Sequence, residues 1–384
     1  MPNAGISFVI HDLNSWGGQD RVTLEISKRL SRQVPVSLYS FTFSDDDSSE
    51  WGDTVHHLVR PRFNRPVLLK SIIFHIVTFF QLMKSKKKSP ALLIHAAGAC
   101  SLVSDIIQVH FVHRAWDSVE EKMGGTPRSF LARIYHWVLR RYDLAMERLI
   151  FSPSKRYIAV SQHVANELKK NYPSITAVQV VHPGVDVQYF CPGTQLNLRQ
   201  TLGIKEGEVV AFFAGSYERK GLSSLIEAWG LLLKQGNIPP RLVAIGGGNR
   251  DYYLKLAAMH GVSAYVLLCP PTKNILNFYQ MSDFFILPTR YEPFGMVALE
   301  AMACGKAPIT SRLAGASELI QDGVNGIILD DPQDAAEIAR AVLRFAQSPE
   351  HRQALGAEAR KSALNQSWDL VAKRYENALW GTSL

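Results

Sequence analysis

Residues 290–305 read Arg290-Tyr-Glu292-Pro-Phe-Gly-Met-Val-Ala-Leu-Glu300-Ala-Met-Ala-Cys-Gly305, and this stretch decides the fold. A short apolar run, Phe284-Phe285-Ile286-Leu287, leads into it and is stopped by Pro288. Pro293-Phe294-Gly295 breaks the chain again, and an apolar helical pattern follows. The order strand, broken loop, helix places Glu292 at the carboxyl end of a parallel strand. It places Glu300 about one turn into the next helix. Open α/β sheets bind ligands at that end of their strands. The unpaired N–H groups of a helix start make the same place receptive to phosphate. Glutamate is unusual in so apolar a run. Two unrelated surface acids are the plain alternative. A carboxylate accepts two hydroxyl hydrogens at once, which suits a sugar or a ribose.

Outward from this stretch the same alternation continues. Strand candidates lie at 6–10, 34–41, 92–95, 106–112, 157–160 and 178–182, then at 209–213, 241–245, 265–268, 284–287, 307–310 and 326–329. Helical patterns stand between them, for example at 21–30, 223–234, 274–281 and 334–346. Nearly continuous apolar strands are those covered on both faces, and alternation with helices argues for parallel sheets of βαβ units. A length of 384 residues suits two such domains. The expected boundary is Pro183-Gly184-Val185-Asp186, where Pro and Gly hold a turn but not a strand interior. Two similar halves would leave a cleft between them, a favoured place for a ligand. Asp45–Asp47 and the following residues 48–53 read as an exposed loop.

Charge is unevenly spread. Lys+Arg exceed Asp+Glu by 42 to 34, and the whole excess falls in residues 1–185. Arg60, Arg62, Arg65 and Lys70 cluster there, as do Lys84, Lys86, Lys87 and Lys88. Such a field favours an anionic partner: a phosphorylated ligand, a membrane surface or nucleic acid. A solvated basic face is the alternative. No nucleic-acid-binding module accompanies the charge, so nucleic acid is not expected. Residues 67–83 form the most apolar window, interrupted by Lys70, His75, Thr78 and Gln81, and read as a buried or interfacial helix. Residues 133–150 are helical in period and carry Trp137, Arg140, Arg141 and Arg148, which suits a membrane surface or an amphipathic helix covering a sheet. The four cysteines, Cys100, Cys191, Cys269 and Cys304, have no metal-ligand spacing, and a reducing compartment fits. The first thirteen residues lack a positively charged start, so no secretory signal is expected.

Three further segments carry candidate chemistry. Arg219-Lys220-Gly221 follows the strand at 209–213, where a forked and a point cation can hold a diphosphate; a solvated charged loop is the alternative. Gly17-Gly18 follows the first strand and opens a helix near Gln19 or Asp20, a phosphate-friendly turn without the spaced third glycine of a dinucleotide site. Gly246-Gly247-Gly248 reads as a plain strand-to-helix turn. His110 and His113, with Arg114 and Asp117 nearby, follow the strand at 106–112 and either reach a ligand or pack as core histidines.

Taken together, these motifs resemble the retaining glycosyltransferases of family 4, with their GT-B architecture of two Rossmann-like domains facing a central cleft. The resemblance rests on Glu292 and Glu300 in the E-x7-E element, with Ala301-Met302-Ala303-Cys304-Gly305 after it, and on Gly315-Ala316-Ser317-Glu318 and Asp322-Gly323-Val324-Asn325-Gly326. Gly17-Gly18, Pro183-Gly184-Val185-Asp186 and Arg219-Lys220-Gly221 fit the same pattern. Within the family the chain is similar to bacterial lipopolysaccharide-core glucosyltransferases.

The resemblance implies an acceptor-binding domain over 1–185, with 367–384 crossing back onto it from Ser367-Trp368, and a nucleotide-sugar-binding domain over 186–366. It implies that Glu300 binds ribose hydroxyls and Glu292 the donor sugar. Backbone amides of Phe294, Gly295, Met296 and Val297 would hold sugar and diphosphate. Arg219 and Lys220 would neutralise the diphosphate, Gly18 would approach it on closure, and His113 would stand at the active site. The implied reaction is metal-independent transfer of a hexose, with retention, from a nucleoside diphosphate sugar to a glycan or glycolipid hydroxyl in envelope polysaccharide or lipopolysaccharide synthesis. UDP is the expected base carrier and GDP the alternative. The basic first half suits an anionic or membrane-borne acceptor, so a cytoplasmic protein, peripheral on the inner face of the cytoplasmic membrane, is the expectation. The rival readings are a nucleotide-sugar epimerase and a non-catalytic nucleotide-sugar-binding subunit.

Overall fold

The computed structural model describes residues 5–14, 17–44, 51, 54–59, 66–116 and 129–381. The loop expected at 45–53 (apart from Trp51), the cations Arg60, Arg62 and Arg65, and Asp117 lie outside the described residues. The chain divides into two compact units, Met1–Pro183 with Trp368–Leu384, and Gly184–Ser367.

The first unit is built on a seven-stranded sheet. Its strands are β1 (Ile6–Val9), β3 (Val36–Ser40), β5 (Val55–Leu58), β6 (Leu93–Ala97), β7 (Ile106–Val109), β8 (Arg156–Ala159) and β9 (Gln179–Val180), in the spatial order β5-β3-β1-β6-β7-β8-β9. Every pairing is parallel. A separate parallel pair joins β2 (Asp12–Asn14) to β4 (Thr42–Ser44). The chain runs from β1 outward through β3 to β5, then returns on the other side of β1 as β6. The sheet therefore reverses its order between β1 and β6. Val9, Tyr39, Phe74, Leu82 and Ile94 fuse into one buried cluster, which seats one face of helix Val67–Lys88.

The second unit carries six parallel strands, β10 (Val210–Ala214), β11 (Arg241–Ile245), β12 (Val266–Cys269), β13 (Phe284–Leu287), β14 (Pro308–Ser311) and β15 (Ile327–Leu329). Their order is β12-β11-β10-β13-β14-β15, so here the reversal falls between β10 and β13. Both of those strands are wholly apolar and buried on both faces, as VAFFA and FFIL require. Three helix starts here are capped by side chains. Asp334 accepts the amides of Ala336 and Glu337, and Ser348 accepts that of His351 with Pro349 at the first helical position. Each such cap contributes about 1 kcal/mol.

The α/β class with parallel sheets in two units agrees with the sequence expectation. Boundaries differ where neighbours run out. The strand expected over 106–112 ends at Val109, because β6 stops at Ala97, opposite Gln108. His110 and His113 are thereby released from the sheet. The helix expected from Gln19 or Asp20 starts at Gly18, with Gly17 as its cap residue. β2, β4 and β5 have three or four residues each, too few for a period to register in sequence.

Within the first unit, helix Trp368–Trp380 packs along helix Gly18–Leu30. Arg29 Nε donates to Asp369 Oδ1 at 2.7 Å, and Arg156 Nη1 to the Leu379 carbonyl at 2.6 Å. Tyr375 Oη lies 2.5 Å from His95 Nε2 in the buried interior.

Candidate active site

The reversal between β10 and β13 brings two loops together that are about seventy residues apart in sequence. The loop after β10 carries Arg219 and Lys220, and the loop after β13 carries Glu292. Arg219 Nη1 donates to Glu292 Oε2 at 2.9 Å and to the Tyr291 carbonyl at 2.9 Å. Lys220 Nζ lies 3.1 Å from the same Oε2. Lys220 and Glu292 are both largely buried, with side chains 9% and 13% exposed, so neither charge is left to water. Burial pushes the Glu292 carboxyl upward. Lys220 and Arg219 outweigh it and hold the group below the ordinary 4.5, so it is ionised at neutral pH.

The backbone fixes Glu292 from both sides. Its N–H donates to the Leu313 carbonyl at 3.1 Å, and its own carbonyl accepts from Gly315 N–H at 3.0 Å. Gly315 opens the Gly-Ala-Ser-Glu turn, so that motif braces the loop. Gly295 caps helix Met296–Ala303 with φ +97°, a left-handed conformation that any side chain would strain. The first turn of that helix, Met296 and Val297, therefore points its amides out of the carboxyl end of the sheet beside Glu292. Glu300, one turn on, is 4% exposed and accepts from Tyr279 Oη at 2.9 Å. Tyr279 also reaches the Val297 carbonyl at 3.0 Å and so ties Glu300 to the helix start. Arg219, Lys220, Glu292, Phe294, Gly295, Met296, Val297 and Glu300 thus share the carboxyl end of one sheet, at its order reversal. Tyr279 was not singled out from sequence. A tyrosine in an apolar helix gives no sign of where its hydroxyl goes.

Gly18 and His113 belong to the first unit. The Gly17-Gly18 turn does open a helix, and Gly17 N–H donates to Asn14 Oδ1 at 2.9 Å. The first turn of that helix holds Asp20, whose carboxyl is raised to about 6 by burial and by Asp12, against the opposing pull of a hydrogen bond from Asn14. An acid at this place competes with an incoming phosphate. His113 Nδ1 lies 2.8 Å from Glu147 Oε2, and the same oxygen accepts His113 N–H at 2.7 Å. Glu147 is fully buried and also accepts from Tyr172 Oη at 2.7 Å. Burial alone would raise its carboxyl, but the His113 and Tyr172 contacts hold it below the ordinary value. Glu147 sits in the helix previously read only for its aromatic and basic face. His110 is buried at 8% exposure.

Comparison with known proteins bears on this arrangement. The family described as Glycosyltransferase Family 4 matches residues 16–189, and the one described as Glycosyl transferases group 1 matches residues 194–362. The chain belongs to the family-4 type of glycosyltransferases. The family-4 chain is 30% identical over 258 residues to D-inositol 3-phosphate glycosyltransferase 1 of Catenulispora acidiphila, a match over 62% of this chain and 61% of that relative's length. Its fold is that of WaaG, a glycosyltransferase involved in lipopolysaccharide biosynthesis, at TM-score 0.74 and 20% identity over 98% of this chain and 100% of WaaG. It is likewise that of Anabaena HepE, solved with UDP-glucose, at TM-score 0.70 and 19% identity over 98% and 100% of the two chains. The GT-B fold of the family-4 chain is thereby established.

Proposed function

We propose that the protein transfers a hexose from a nucleoside diphosphate sugar, UDP-linked in the first instance, to a hydroxyl of a glycan or glycolipid, with retention and without a metal ion. The observation that carries this reading is the Arg219–Glu292–Lys220 cluster beside the Gly295-capped helix, at the order reversal of the second sheet. Family membership supports the reaction class, and a UDP-glucose complex of a protein with the same fold supports the donor. Glu300 takes the ribose hydroxyls, and Glu292 takes hydroxyls of the hexose. The amides from Phe294 to Val297 lie along the sugar and diphosphate.

As the bond from the anomeric carbon to the diphosphate breaks, negative charge grows on the leaving oxygen. Arg219, Lys220 and the helix start are already fixed when that happens, so they need no reorganisation. Removing one preorganised donor of this kind costs about 2.7–4 kcal/mol in the barrier. The positive charge growing on the sugar ring resembles that in glycosidases. A glycosidase-like pair of carboxylates is not available if Glu300 serves the ribose, so attack from the face of the departing phosphate is the route proposed.

The acceptor is proposed to be borne on an anionic membrane. Helix Val67–Lys88 is long and apolar enough to cross a bilayer, but one face is built into the first unit's core. Its other face exposes Ile76, Phe80 and Met83, and helix Phe130–Ile150 exposes Phe130, Leu131, Ile134 and Trp137. Exposed Lys84, Lys87, Lys88, Arg133, Arg140 and Arg141 lie on the same two helices. Apolar stripes with basic flanks suit the interface of a bilayer bearing anionic lipids. This supports a peripheral place on the cytoplasmic membrane and a role in envelope or lipopolysaccharide synthesis.

The test is incubation with UDP-glucose, with and without a lipid-linked glycan, followed by product analysis. Release of UDP only with acceptor, and an α-linked product, is expected. A changed sugar without acceptor would mean an epimerase. Donor binding without product from any acceptor would mean a binding subunit. Failure to float with anionic vesicles at low salt would remove the membrane part.

A further inference from the structure

We propose that Glu147 is a positioning residue for His113: it fixes that ring's orientation and holds its proton on Nδ1, so that Nε2 is the nitrogen that accepts a hydroxyl hydrogen. In the transfer reading, on which the catalytic part of this assignment rests, the hydroxyl belongs to a reactant.

Glu147 stands in the last turn of helix Phe130–Ile150, whose buried residues are Glu147 and Ile150. The place is costly for an acid on two counts. Glutamate is almost never fully buried unless paired, and the C-terminal end of a helix disfavours negative charge. Donors converging from outside the helix offset this. Oε2 accepts both the N–H of His113, at 2.7 Å, and its Nδ1–H, at 2.8 Å. Oε1 accepts from Tyr172 Oη at 2.7 Å and from Arg114 N–H at 3.4 Å. Burial pushes the Glu147 carboxyl upward, but the His113 and Tyr172 contacts outweigh it and hold the group below its ordinary value.

An ionised carboxylate only accepts hydrogen bonds. The proton between Glu147 and His113 therefore sits on Nδ1, and in the neutral imidazole Nε2 becomes the acceptor. One oxygen that holds both the backbone and the ring of His113 also fixes the rotation of the side chain. The Phe111 ring packs beside it, with centroids 4.7 Å apart. The His113 side chain is 31% exposed and lines a cavity of about 240 Å³ within the first unit, so the oriented ring is open to a ligand. Asp143 of the same helix, His75 of helix Val67–Lys88 and His11 after β1 line that cavity too, and Arg114 follows His113 in the chain. Burial raises the Asp143 carboxyl, whereas Glu147 is held down, so Glu147 is the acid that answers the ring. A mere tie between helix and loop would need the His113 N–H and Tyr172 alone. The bond to Nδ1 is what a positioning role adds.

The test uses the whole protein carrying isotope-labelled histidine, read by nitrogen NMR at about pH 8, above the ordinary imidazole range. His113→Asn identifies the His113 signals by their loss. The wild type should show Nδ1 protonated and Nε2 bare. Tyr172→Phe, which keeps both His113 contacts, should show the same. Glu147→Gln can turn its one oxygen to His113 and should keep much of this pattern, whereas Glu147→Met cannot and should bring in the Nε2–H form. Turnover of UDP-glucose with a lipid-linked glycan should follow the same order. Tyr172→Phe should stay near wild type, Glu147→Gln should be intermediate, and Glu147→Met should lose about tenfold or more in kcat, the worth of one hydrogen bond to a charged group, with UDP affinity unchanged. Melting curves establish that the variants are folded. Should Glu147→Met not fold, the wild-type tautomer decides alone. A wild-type ring protonated at Nε2 overturns the proposal, as does a Glu147→Met ring that keeps the wild-type pattern. Equal kcat in Glu147→Met and Tyr172→Phe overturns the catalytic part. The expected ring pattern without product from any acceptor would sink the transfer reading and leave the positioning of His113 standing.

Discussion

Lys220 Nζ and Arg219 Nη1 converge on a single oxygen, Oε2 of Glu292, at 3.1 and 2.9 Å. The carboxylate thus organises two like charges that would otherwise repel one another in a largely buried place. In the proposed reaction it holds both cations ready for a diphosphate.

An asymmetry follows for stability. Glu292→Ala leaves Lys220 buried beside Arg219 with no acid to answer either, and should cost about 3–5 kcal/mol. Lys220→Met leaves Glu292 still paired with Arg219 and should cost clearly less. Urea unfolding of the three proteins measures this. Equal losses would mean that the carboxylate does not organise the pair.

The same contact has a pH signature. The Glu292 carboxyl lies below its ordinary 4.5 in the folded protein. Its stabilisation is therefore complete above the unfolded value and is lost as pH falls through the folded one. The gap in urea midpoint between wild type and Glu292→Gln should stay constant from neutral pH down to about 4.5, then shrink. A gap that widens in acid would reverse the assigned shift.

Tyr279→Phe should leave the fold intact and weaken nucleotide binding. It removes the hydroxyl that donates to Glu300 at 2.9 Å. Hydrogen bonds to a charged group contribute about 1.5–3 kcal/mol, so UDP affinity should fall roughly tenfold or more if Glu300 holds the ribose. Unchanged affinity, read by calorimetry, would detach Glu300 from the nucleotide.

Gly221 and Gly295 cap helices Leu222–Lys234 and Met296–Ala303 and should tolerate alanine unequally. A Cβ at Gly221 would stand 2.1 Å from the Pro288 carbonyl oxygen, a backbone atom that cannot step aside. A Cβ at Gly295 would stand 3.1 Å from Glu292 Cγ, on a side chain that can shift. Both carry positive φ, at +84° and +97°. Gly221→Ala should therefore lower the melting temperature well beyond Gly295→Ala. The reverse ranking would contradict the packing described at the β10 and β13 loops.

Much of this was legible in the chain. Strand 241–245 is apolar after Arg241 and strand 284–287 is apolar throughout, and they end at glycine and proline, so their extent could be read directly. The loops bearing Arg219, Lys220 and Glu292 follow from strand order alone. The partners of the site residues were not legible. Tyr279 meets Glu300, and Glu147 meets His113 across thirty-odd residues, through helix packing that no spacing encodes. Asp20 sits within the turn expected to welcome phosphate, and its raised carboxyl comes from burial that appears only in three dimensions.

The most direct test of the central claim is calorimetric titration of UDP, with GDP alongside, into the wild type, Lys220→Met and Glu300→Gln. The account predicts saturable binding of one nucleotide by the wild type and roughly tenfold or greater loss in each variant while all three remain folded. No binding of either nucleotide, or variants that bind as the wild type does, would contradict it.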